Sequence, residues 1–179
     1  MKWQGGFYAT PSMAGSRPGS IIAGTWAALC KIGQAKYIEY TRDILSAASN
    51  IRKAIKEEIP EIKLGTEHNS PVVSIVNIDQ ANCINCIALA DVLLKHHGWG
   101  LSKTQNPQGA HVALTLATCY DWKAFVSALK SSVQMMKDMP ELNHSSSVAT
   151  YGMAGSMPDP CVLDQMCALH TNALLDALP

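Results

Sequence analysis

"GWGLSKTQNPQGAHVALTLA", residues 98 to 117, decides the fold. Two stretches of strand character, "GWGLSKTQ" and "AHVALTLA", flank "NPQG", whose proline and glycine suit a tight reversal. The spacing predicts an antiparallel pair. Upstream, "PVVSIVNID", residues 71 to 79, is β-branched and apolar and reads as a third strand. Between them the chain from Ile84 to His96 has a helical pattern closed by Gly98. Downstream, Tyr120 to Met139 is amphipathic, with Trp122, Phe125, Val126, Leu129, Val133 and Met136 on the inward face. Strands that pair antiparallel, with helices segregated to one face, describe an α+β sandwich, and its compact core is expected from about Ser70 to Met139.

Outward from this centre the pattern is helical. Pro18 suits a first-turn position, and Ile21, Ile22, Trp26, Leu29 and Cys30 recur at spacings of three and four. Gly33 breaks the run in two. The second piece, Gln34 to Ile59, places Tyr37, Ile38, Thr41, Ile44, Leu45, Ala48, Ile51 and Ile55 on one face, and Pro60 ends it. "TEHNSP" and "ELNHSSS" read as polar loops. After Met139 come a loop, the segment "VATYGMAG", and a last helix from about Pro160 to Leu178.

The bulk composition narrows the function classes. A chain of 179 residues with 47% apolar and 16% charged residues can bury a sizeable core and is of the soluble globular kind. Its formal net charge of +0 and lack of a basic stripe argue against nucleic acid as a partner. No run reaches the roughly 18 apolar residues of a membrane span, and the first residues lack a signal-peptide layout. The six cysteines, Cys30, Cys83, Cys86, Cys119, Cys161 and Cys167, sit in apolar helix-like contexts, which favours buried free thiols in a reducing compartment over a disulfide framework.

Interior motifs carry little chemistry. "CINC", Cys83 to Cys86, has the spacing of a zinc or redox pair but no second pair, and reads as one helical turn with two small thiols. His96 and His97 in "KHHG" suit the carbonyl end of a helix better than a metal. His111 opens an apolar strand and reads as a satisfied core histidine. No Ser-His-Asp layout, phosphate-binding GxxxxGK[ST] or HExxH is present, and no metal site is expected.

The opening segment differs. In "GGFYATPSMAGSRPGS", residues 5 to 20, the glycines permit close backbone approach, Ser16 offers a hydroxyl, and Pro18 starts a helix whose amide end favours anions. Two readings fit equally: a phosphate site, or a capped helix entry with Ser16 near the cap and Arg17 in solvent.

"KWQGGFYATPSMAGSRPGS", residues 2 to 20, resembles the segment that follows the cofactor lysine in the sphingosine-1-phosphate lyases, pyridoxal-phosphate (PLP) enzymes of the group II decarboxylase family. The resemblance continues through "WAALCKIG", "SPVVSIV", "GWGLSKTQNPQGAHVALTLA" and "YGMAG". It implies a fold-type-I architecture. Residues 1–33 would end the large cofactor-binding domain, 34–60 would be a linking long helix, and 61–179 would be the C-terminal small domain with a short, mostly antiparallel sheet. It also implies an obligate homodimer and the cleavage of a phosphorylated long-chain base into a fatty aldehyde and phosphoethanolamine.

Carried over by position, Gly15 and Ser16 would contact the cofactor phosphate of the neighbouring subunit, and Tyr8 and Tyr151 would lie near the substrate. Arg17 would bind phosphate or pair locally. The family's Schiff-base lysine lies in a His-Lys motif upstream of "WQGG", and no lysine here follows a histidine. The expectation is a fragment of a lyase with no catalytic lysine of its own, inactive alone. The complete eukaryotic enzymes would sit on the cytosolic face of the endoplasmic reticulum through an anchor outside these residues. A group II amino-acid decarboxylase fragment and a non-catalytic domain that pairs with a full-length subunit are the competing readings.

Overall fold

The computed structural model describes residues 15–78, 84–105, 107–156 and 160–176. They fall into two compact units, one of residues 43–156 and one of residues 15–42 with 160–176.

The larger unit is built on four antiparallel strands, β1 (Lys63–Leu64), β2 (Val72–Val76), β3 (Ser102–Gln105) and β4 (Gln108–Ala113), in the order β1-β2-β4-β3. Val73 pairs with Val112 and Ile75 with Ala110, and these four residues are buried together on one face. Side chains alternate along a strand, so Ser74 and His111, which are also partners, stand on the opposite face. His111 is half-buried there. Gly109 is needed at its position, since a Cβ there would come within 2.3 Å of the Ile75 carbonyl oxygen.

Three helical elements share the core with the inward strand residues. They are the second part of α1 (Gly19–Glu58), α2 (Cys86–His97) and α4 (Trp122–Asp138). Ala48, Ile51, Ile55, Leu89, Leu93, Phe125, Leu129 and Met136 fill the space, and Trp99 meets Phe125 edge to face with ring centroids 5.2 Å apart. The core therefore begins well before Ser70, because Ala47, Ala48, Ile51, Ala54 and Ile55 of α1, and Ile59 just after it, belong to it.

The start of α2 shows how the sequence makes a helix end inside a core. Asn85 caps it by accepting from the amides of Ile87 (3.0 Å) and Ala88 (3.3 Å). Asn77 accepts from Cys86 (2.8 Å) and Asn143 from Asn85 itself (2.9 Å), so the amides that a helix leaves unpaired are satisfied. At the other end Gly98 adopts φ 74° and closes the helix, with Lys95, His96 and His97 in its last turn, where cations oppose the dipole favourably.

Two local expectations are corrected. "AHVALTLA" does not continue as a strand to Ala117: β4 ends at Ala113, and the short helix α3 (Leu116–Cys119) follows. Thr115 and Thr118 close a capping box, with the Thr115 amide donating to Thr118 Oγ1 at 3.0 Å, and threonine serves a cap as readily as a strand. "ELNHSSS" is not loop throughout: its last serines open α5 (Ser146–Ser156), which carries "VATYGMAG" and lies against α2 and the β3–β4 hairpin. "ELN" forms a 3-10 turn, Pro140–Asn143.

In the smaller unit α1 begins at Gly19, and Gly33 interrupts it at φ 72°, ψ 163°, the break its position predicts. α6 (Pro160–Asp176) is the other element. Ile21, Ile22, Trp26 and Leu29 are exposed, Trp26 to 68%, so their helical spacing identifies the helix without burying it. Cys30 and Cys161 are likewise exposed, unlike the buried Cys86 and Cys119. Cys83 lies outside the described residues. No described helix is long and apolar enough to cross a membrane.

Candidate functional site

The expected site residues divide between the units. Tyr8 lies outside the described residues. Gly15 and Ser16 belong to the smaller unit, ahead of α1, and Tyr151 belongs to α5 of the larger one.

Residues 15–18, ahead of α1, are exposed. Arg17 turns back, its guanidinium donating to the Gly15 carbonyl at 2.8 Å. The Ile21 amide closes on the Pro18 carbonyl at 3.1 Å. Ser16 is exposed three residues before the helix begins and makes no side-chain hydrogen bond among the described residues, so it is not the cap. Among the described residues nothing lies within 4 Å of where a Gly15 Cβ would stand. The Ser16 hydroxyl and the Gly15 backbone are thus open to solvent ahead of the amide end of α1.

Around α5 the chemistry is denser. Asp91 of α2 and Lys103 of β3 form an ion pair, with side chains 33% and 17% exposed. Lys103 Nζ also donates to Ser147 Oγ at 2.7 Å, and Ser145 Oγ donates to the second Asp91 oxygen at 2.9 Å. Burial pushes the Asp91 carboxyl up, but the hydrogen bonds from Lys103, Ser145 and Ser147 and the Lys103 charge outweigh it and hold the group below its ordinary value. Tyr151 is half-buried one turn beyond Ser147, and a Cβ on Gly152 would come within 3.9 Å of Gln108 Nε2.

Pattern reading of the sequence missed this cluster. Asp91 and Lys103 are unremarkable members of a helix and a strand, and only the fold of the β3–β4 hairpin against α2 joins them. The serine run 145–147 was visible, but as loop.

Comparison with known proteins gives these parts a context. The chain is 33% identical over 174 residues to the sphingosine-1-phosphate lyase of Saccharomyces cerevisiae, covering 96% of this chain and 29% of that protein. It is 33% identical over 158 residues to the lyase of Oryza sativa (88% and 28%) and 31% identical over 179 residues to that of Rattus norvegicus (99% and 30%). The chain is homologous to the sphingosine-1-phosphate lyases. Its fold agrees: the sphingosine-1-phosphate lyase of Burkholderia pseudomallei superposes with a TM-score of 0.56 and 26% identity, over 74% of this chain and 29% of that one. No family model matches. The chain thus spans about three tenths of the length of the sphingosine-1-phosphate lyases it matches, which fits a segment of such an enzyme.

Proposed function

We propose that this chain is the segment of a PLP-dependent carbon-carbon lyase that completes its cofactor and substrate site, in an enzyme that cleaves a phosphorylated long-chain base into a fatty aldehyde and phosphoethanolamine. The observation that carries this reading is the similarity to sphingosine-1-phosphate lyases along nearly the whole chain, in fungal, plant and animal proteins alike.

In this reading Ser16 donates its hydroxyl to the cofactor phosphate of a neighbouring subunit, and Gly15 leaves room for the phosphate to approach. PLP, when bound, accepts the electron pair of the breaking carbon-carbon bond. Tyr8 and Tyr151 orient the substrate. Residues 1–33 close the large domain, 34–60 link the domains, and 61–179 form the small domain. The uncovered ridge Ile21, Ile22, Trp26 and Leu29 supports a homodimer or large-domain contact on that helix, since contiguous apolar surface of this kind marks interfaces. The complete enzyme works at the endoplasmic reticulum, and the isolated chain supplies no catalytic lysine.

A chimera tests the reading: residues 1–179 replace the matching 29% of the yeast enzyme. It is expected to release fatty aldehyde from a phosphorylated long-chain base. Replacing Ser16 by alanine should weaken its cofactor affinity roughly tenfold to a hundredfold, the worth of one hydrogen bond to a charged group. A chimera that folds and binds the cofactor yet cleaves no phosphorylated base would reject the reading, and release of carbon dioxide from an amino acid would favour a decarboxylase.

A further inference from the structure

α5 has few apolar anchors. Among its described side chains, Val148 is the one packed against the hydrophobic core. Its first turn is held instead by polar groups from three places. Ser145 precedes the helix and caps it, its Oγ accepting from the Val148 amide at 3.2 Å while donating to Asp91. Ser147 accepts from Lys103. Lys103 faces Ala110 in the β3–β4 register, on the helix-bearing side of the sheet, and Asp91 comes from the middle of α2.

We propose that Asp91, Lys103, Ser145 and Ser147 form a clamp that fixes α5 against the edge strand and thereby sets the position of Tyr151. Ser147 and Tyr151 are four residues apart and share one face of the helix, so a shift at the first turn moves both. An apolar patch of the same size would hold the helix loosely in several tilts, whereas an ion pair with two hydroxyl partners accepts one arrangement. The carboxylate also lies at the amide end of α5, where negative charge is favoured. Lys103 is a positioning residue: it acts through α5, and its ammonium is engaged by Asp91 and Ser147. The functional half of the proposal rests on the substrate role of Tyr151 given above.

In the 179-residue chain, Lys103→Met and Asp91→Asn are each expected to raise amide exchange across residues 147–152 by about tenfold, the loss of a hydrogen bond to a charged group. Exchange in β2 should stay unchanged, which separates loosening of α5 from global unfolding. Lys103→Arg should keep wild-type protection. A fluorotyrosine placed at position 151 should give one fluorine resonance in the unmutated chain and in Lys103→Arg, and a shifted or split one in Lys103→Met. Unaltered exchange and an unmoved resonance in Lys103→Met would overturn the clamp. In the yeast chimera, Lys103→Met should raise KM about tenfold with kcat largely kept, as loss of substrate positioning does, and should add nothing once Tyr151 is already phenylalanine. Full additivity with Tyr151→Phe would overturn action through Tyr151. If the unmutated chimera is inactive, the lyase reading fails, while exchange and fluorine spectra still decide the clamp.

Discussion

At the scale of single residues, Arg52 shows how one buried charge organises a strand. It lies on α1, is 7% exposed, and its guanidinium donates to the Ser70 carbonyl at 2.5 Å and the Val72 carbonyl at 2.8 Å. These carbonyls flank Pro71 at the entry to β2, so the side chain pins the strand where proline leaves no amide of its own to bond. Desolvation lowers its pKa from a high ordinary value, and the group stays protonated. Arg52→Met should therefore destabilise the larger unit by about 2 kcal/mol, through two half-buried carbonyls that lose a charged donor, read as a lower urea midpoint at constant slope. Helical spacing puts Arg52 off the apolar face of its helix. A local periodicity cannot show that a strand 20 residues later needs a donor.

Elements were more legible than residues wherever one rule governed them. Gly33, Gly98 and Pro60 punctuate the helices as their backbone chemistry requires, and the inward faces of α2 and α4 follow the 3.6-residue pattern. Failures came where a segment satisfied two rules at once. "LTLA" has strand-forming side chains, but Thr115 and Thr118 cap one another directly after the last cross-strand bond, from the Leu114 amide to the Pro71 carbonyl at 2.9 Å. For α2 the capping argument gives a direct test. Asn85→Ala removes the acceptor for two amides and should cost about 1 kcal/mol, in keeping with N-cap replacements. Asn77→Ala should cost a similar amount by removing the acceptor that the Cys86 amide meets, although Asn77 lies nine residues away and outside the helix. Thermal melts of the two variants and of the double variant would check both values.

For the whole molecule, acid sensitivity should follow from the carboxylates that the fold holds charged. Glu61 is kept below its ordinary value chiefly by the hydrogen bond from Lys137 at 2.8 Å, and Asp91 by its clamp partners. Depressed values mean that the folded state binds fewer protons than the unfolded chain. The stabilisation is complete above the unfolded value, about pH 4, and is lost as pH falls through the lower folded values. Exchange in α5 should rise as pH falls below that point, before β2 is affected, and the Asp91→Asn variant should lose this pH step; an α5 that opens only together with β2 on acidification would contradict it. The sequence by itself determined the helices α1, α2, α4 and α6, their breaks, the antiparallel pair and the family resemblance, because those follow from backbone chemistry, period and motif over neighbouring residues. Tertiary structure alone decided that α5 is a helix held by Asp91 and Lys103, that Arg52 serves β2, and that the apolar ridge from Ile21 to Leu29 is exposed. Each of these depends on which distant surfaces meet, and side-chain period is the same whether the face it marks is covered or bare.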